Sequence, residues 1–133
     1  LTPQSLFPST TRYSYAVVAD SGSLAWRLTE NGNSPVTATI LASIPVDDTG
    51  VQGPALRMRY RVSNATQGGR VVVNPSANDT GHEGTTTSTV VQSCLNRDSG
   101  GQVIPVRLTF SRTGVTNILH YVDDIEIVLA DGC

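Results

Sequence analysis

Three arginines, Arg57, Arg59 and Arg61, stand at alternate positions of one segment, interleaved with Leu56, Met58, Tyr60 and Val62. In an extended chain such alternate side chains share a face, about 6.8 Å apart. A row of guanidiniums presents planar pairs of donors, which suit acidic glycans or a partner's carboxylates. The same row also suits a solvated sheet face that discourages edge pairing. Tyr13, Tyr15 and Tyr121 are the aromatics left for a platform, and Tyr121 joins the arginines as a candidate ligand surface. Trp26, Tyr60 and Phe110 fall on inward phases of their segments and read as core.

Other groups also bear on chemistry. Asp47, Asp48, Asp123 and Asp124 supply hard oxygen ligands, which suit structural calcium. Aspartates are equally at home as solvated turn residues. The two histidines, His82 and His120, stand in no zinc motif and beside no nucleophile elbow. No enzyme activity and no cofactor are therefore expected. Net charge is −2, with nine basic residues, all arginine. That balance offers no basic field for nucleic acid and no polybasic membrane patch. No apolar stretch approaches the ~20 residues of a membrane span.

Only two cysteines occur, Cys94 and Cys133. A bridge between them would close a loop of about 40 residues and stabilise the fold by roughly 4 kcal/mol on the chain-entropy estimate. Such a bridge implies an oxidising setting, extracellular or at the cell surface. A chain opening Leu-Thr-Pro also fits a processed, secreted protein. Two Asn-x-Thr sequons, at Asn64 and Asn78, fall in expected turns, and Thr85, Thr86 and Thr87 open a hydroxyl run suited to O-linked sugars.

The elements that must position these residues have a period of two almost throughout. Leu24, Trp26 and Leu28 alternate with polar or small residues, as do Val36 to Ile44, Leu56 to Val62 and Ile104 to Phe110. Thr85 to Cys94 reads as a β-branched strand, and Asn78 to Gly84 as a polar loop. The last strand runs from about Asn117 to Leu129, with Asp123-Asp124 as a candidate bulge and Ile125, Ile127 and Leu129 inward. Pro105 within a strand suggests an edge or a bulge. Turns at intervals of about 8–12 residues predict an all-β antiparallel sandwich, jelly-roll or immunoglobulin-like, of about seven to nine strands and one disulfide.

The segment His120-Tyr-Val-Asp-Asp-Ile-Glu-Ile resembles the last strand of jelly-roll carbohydrate-binding modules of the cenC type. The resemblance implies that fold, and a secreted carbohydrate-binding or adhesive role with glycan partners. In architecture the chain is also similar to donor-strand fibre subunits. Residues 1–12 read as an extended arm bearing Leu1, Leu6 and Phe7, and residues 13–133 as a single sandwich domain. On that likeness Leu1, Leu6, Phe7, Tyr13, Tyr15 and Val17 would enter a neighbour's groove and build a filament or other homo-oligomer. The fibre subunit is the leading expectation, and the carbohydrate-binding module is the alternative.

Overall fold

The computed structural model describes residues 13–20, 23–30, 35–77 and 81–133; for 13–20, 23, 24 and 30 it is the backbone that is described. Among the described residues nine strands are present: β1 (Tyr13–Asp20), β2 (Ser23–Glu30), β3 (Val36–Ser43), β4 (Gly53–Val62), β5 (Arg70–Asn74), β6 (His82–Glu83), β7 (Thr89–Cys94), β8 (Val103–Ser111) and β9 (Leu119–Ala130). Among the described residues there is no α-helix, only two single 3-10 turns at Ala65–Gln67 and Arg97–Ser99.

The strands form two antiparallel sheets, one in the order β1-β2-β9-β4-β7 and the other β3-β8-β5-β6. The chain passes repeatedly from one sheet to the other, which makes the sandwich a jelly roll. The inward phases are those of the sequence pattern. Leu56, Met58, Tyr60 and Val62 of β4 meet Val36, Ala38 and Ile40 of β3 and Val106, Leu108 and Phe110 of β8 in one apolar core. Leu28, Ile44, Val71, Val73, Leu95, Ile118 and Val122 also belong to it.

β9 carries a bulge at the expected place. Arg57 pairs with Glu126 and Arg59 with Asp123, so two residues of β9 oppose Met58 alone. Asp124 takes up the extra length with a left-handed φ of 52°. The inserted residue flips the side-chain phase. His120 and Val122 point inward before it, and Ile125 and Ile127 pack on the core after it.

Two local expectations differ, and a third, at Pro105, is met only locally. The hydroxyl run Thr85–Ser88 is an exposed bend, and β7 begins only at Thr89. Within it the Thr85 carbonyl accepts from the Val62 amide, and its hydroxyl donates to the Thr87 carbonyl. The polar loop contains the short strand β6, which pairs with β5. Pro105 lies in an interior strand, but β5 pairs with β8 only from Arg107 onward. Its missing N–H is tolerated because β8 is locally an edge there.

The cysteines are bridged as expected. The bridge joins the end of β7 to the residue beyond β9, across the start of β4. A Cβ on Gly53 would come within 2.4 Å of the Cys133 carbonyl carbon, so only glycine fits beneath that terminus. Arg97 closes it from the side, its Nε donating to the Cys133 oxygen at 3.0 Å and its Nη1 to the Gly50 oxygen at 2.9 Å.

β1 pairs with β2 along its whole length, from Tyr13 opposite Glu30 to Asp20 opposite Ser23. Tyr13, Tyr15 and Val17, expected to enter a neighbour's groove, thus lie on a strand whose backbone pairs on one side within its own sheet. Leu1, Leu6 and Phe7 lie outside the described residues.

Candidate functional site

The residues singled out by spacing meet on the outer face of the five-stranded sheet. Because Leu56, Met58, Tyr60 and Val62 face the core, Arg57, Arg59 and Arg61 must face outward. The registers then lay out three cross-strand rows. In the first, Arg27 of β2 and Arg61 of β4 flank Tyr121 of β9. In the second, Arg59 stands between Asp123 of β9 and Val90 of β7. In the third, Arg57 stands between Glu126 and Gln92.

Tyr121, expected on the ligand surface, has Arg61 over its ring. The Arg61 guanidinium carbon lies 3.6 Å from its ring centroid, a cation–π contact on one face. Arg57 donates from Nε and Nη2 to the Gln92 amide oxygen at 3.1 and 3.0 Å, and its Nη1 lies 3.7 Å from Glu126. Arg59 lies 3.8 Å from Asp124, whose own amide donates to the Asp123 carboxylate at 2.8 Å. The bulge thus turns Asp124 towards the arginine row. Beside it lies a shallow depression of about 140 Å³, lined by Arg57, Met58, Arg59, Val90, Asp124 and Glu126. Arg27 and Gln92 join this face only through register, which no local spacing could reveal.

The calcium candidates do not converge. Among the described residues no three acidic, histidine or cysteine side chains gather at one point. Asp47 is occupied by its own loop, where its carboxylate accepts from the Thr49, Val51 and Gln52 amides and from the Thr49 hydroxyl. Those donors lower its pKa to about 2, the Gln52 amide contributing most. Asp48 sits in the same exposed loop, and Asp123 and Asp124 belong to the arginine face.

Both histidines make contacts between strands of the sandwich. His82 Nε2 and Ser93 Oγ are 2.7 Å apart and join the edge strands β6 and β7 of opposite sheets, with Ser93 buried. His120 is wholly buried, its Nδ1 2.7 Å from the Tyr60 hydroxyl. Asn64 lies in an exposed turn, where its Oδ1 accepts from the Thr66 amide and hydroxyl. Thr85, Thr86 and Thr87 are exposed as well, whereas Asn78 lies outside the described residues.

No protein-family model matches the chain, and no curated protein matches it in sequence. Solved structures do. One is an exo-β-agarase, at a TM-score of 0.66 and 8% identity over 98% of this chain, which spans only 23% of that protein. Another is the family 30 carbohydrate-binding module of a cellulosomal cellulase of Clostridium thermocellum, at 0.53 and 13% identity, covering 93% of this chain and 86% of that one. A third, a CBM4 module, gives 0.54 and 14% identity over 89% and 91% of the two chains. At such identities the likeness is one of fold, and that fold is the jelly-roll sandwich of carbohydrate-binding modules.

Proposed function

We propose that this chain is a non-enzymatic glycan-binding module of an extracellular protein, and that it binds through the outer face of its five-stranded sheet. The observation that carries the reading is the in-register array of guanidinium, carboxylate, amide and phenol groups around the bulge of β9. A guanidinium beside a carboxylate offers donors and acceptors at fixed spacing, which suits the adjacent hydroxyls of a sugar. The Tyr121 ring adds an apolar edge next to them. The fold likeness to carbohydrate-binding modules supports the same reading.

The absence of catalysis in this reading rests on burial. Ser93 is closed off from solvent, so its contact with His82 does not present a nucleophile to a substrate. The extracellular setting rests on the Cys94–Cys133 bridge, since disulfides persist in oxidising compartments. No described helix is long and apolar enough to cross a membrane. Asn64 and the exposed Thr85, Thr86 and Thr87 are available for glycan attachment.

Affinity electrophoresis through gels containing a panel of polysaccharides tests the proposal. Retardation by at least one polysaccharide is expected, and it should disappear in Arg59→Ala and Tyr121→Ala. Free migration through every gel, or retardation indifferent to both variants, would refute the assignment of this face.

A further inference from the structure

β3 is the outermost strand of the four-stranded sheet, and it carries none of the devices that usually protect such an edge. Its residues, Val-Thr-Ala-Thr-Ile-Leu-Ala-Ser, include no charge, no proline and no glycine, and its register with β8 runs unbroken from Val36 to Ser43. The far edge of the same sheet, β6, is only two residues long. At the end of β7 the Cys94 carbonyl accepts from the Ala77 amide and the Ser76 hydroxyl.

The Ile44 amide and carbonyl bond to Gln102 and Gly101 on the β8 side. Successive residues of a strand point these groups to opposite sides, so those of Thr37, Thr39, Leu41 and Ser43 point to the open edge. They have no backbone partner there among the described residues. Thr37, Leu41 and Ser43 are exposed, Leu41 at 73%. On the outer face Leu41 stands opposite Pro105, and the exposed Val103 stands opposite Ser43, so an apolar patch adjoins the edge. On the inner side a cleft of about 200 Å³ opens between Ile40–Ser43 and Ile125 and Ile127 of β9.

This edge is complementary to itself. A two-fold axis at Ile40 sets Thr37 opposite Ser43 and Thr39 opposite Leu41 of a second copy. All four outward amides and carbonyls of each strand are then used, in about eight bonds. Moving the axis to Thr39 or to Leu41 sets Ser43 opposite Pro35 or Thr37 opposite Pro45, and proline has no amide to give. The two prolines stand at equal distance from Ile40 and bound this register from both ends.

We propose that β3 is a homodimer interface, paired antiparallel about Ile40 with β3 of a second copy, so that the two four-stranded sheets become one continuous sheet. The paired strand covers the mouth of the cleft beside Ile40–Ser43. The two-fold axis stands perpendicular to the joined sheet, so the outer faces of both five-stranded sheets look the same way. On the glycan-binding reading above, the dimer presents its two candidate faces to one polysaccharide surface.

Sedimentation velocity of the whole chain tests this. One strand pair buries less than a permanent interface, so a dimer is expected at ~100 μM chain and a monomer near ~1 μM. Thr39→Pro removes an outward amide, and Leu41→Lys sets a charge on the edge. Neither side chain belongs to the core, so unfolding midpoints should stay near the wild type while each variant sediments as a monomer over the whole range. Should Thr39→Pro lower the midpoint, Leu41→Lys alone carries the comparison. Val115→Lys, at an exposed apolar residue outside the strands, should leave the dimer intact. A wild type that stays monomeric at ~100 μM overturns the proposal. So does a dimer that survives Leu41→Lys, a dimer that Val115→Lys also abolishes, or growth beyond two copies. None of these outcomes depends on a glycan, so the dimer and the glycan reading fail separately.

Discussion

The Tyr60 hydroxyl and His120 Nδ1 lie 2.7 Å apart in the middle of the core, with their rings stacked at 5.9 Å and 7° between planes. Phe110 from the opposite sheet tilts against His120 at 5.4 Å. The contact gives the Tyr60 hydroxyl and His120 Nδ1 a partner each inside the core. Tyr60→Phe leaves the shape intact and removes the hydroxyl. It should lower stability by about 1–3 kcal/mol, the cost of an unmatched buried polar atom. Urea unfolding at neutral pH measures it. A variant as stable as the wild type would show that the pair contributes nothing.

The terminal clasp should be equally measurable. Cys133→Ser opens a loop closed at a sequence separation of 39 and should cost about 4 kcal/mol on the chain-entropy estimate. Gly53→Ala attacks the same place without touching the bridge, since its new Cβ meets the Cys133 backbone at 2.4 Å. A lower melting temperature is expected for both variants. If Gly53→Ala melts with the wild type, the close approach of β4 to the terminus is not maintained in solution.

Asp47 connects stability to pH. Its folded pKa of about 2 lies below the ordinary value of 3.8, because loop donors favour the ionised form. Folding therefore gains from its charge above about pH 3.8, and that gain is lost as pH falls towards 2. Asp47→Asn should flatten the acid limb of the stability curve between those values while changing its shape at pH 7 to 9 little. An acid limb identical in variant and wild type would remove Asp47 from the account.

At the bulge, Asp124 holds a φ of 52°, a region that favours glycine, with asparagine and aspartate next. Asp124→Gly should fold well and Asp124→Val poorly, with a difference of about 1–2 kcal/mol from the backbone alone. Thermal unfolding of the two variants decides this. Near-equal stability would mean that the bulge relocates along β9.

The fold was largely legible in the sequence. Period-two alternation in Val36–Ile44, Leu56–Val62 and Ile104–Phe110 picked the inward residues, because a strand with one buried face must alternate. The phase break at Asp123-Asp124 was legible for the same reason: inward positions shift from His120 and Val122 to Ile125 and Ile127. Thr85–Ser88 was misread as strand because β-branched composition reports a preference for extended backbone and not the presence of a neighbour to pair with.

The candidate site was legible only in part. Alternation placed Arg57, Arg59 and Arg61 on one face, and the two cysteines allowed a single bridge. Those conclusions need nothing beyond local geometry and counting. That Arg61 covers Tyr121, and that Arg27 pairs opposite Tyr121 from the other neighbouring strand, were decided by register. Register between β2, β9 and β4 joins segments separated by 60 residues or more in places, as Tyr60 and His120 are. It is set by which apolar faces close the core together and by where the bulge inserts its extra residue, so it exists only once the sheets have formed.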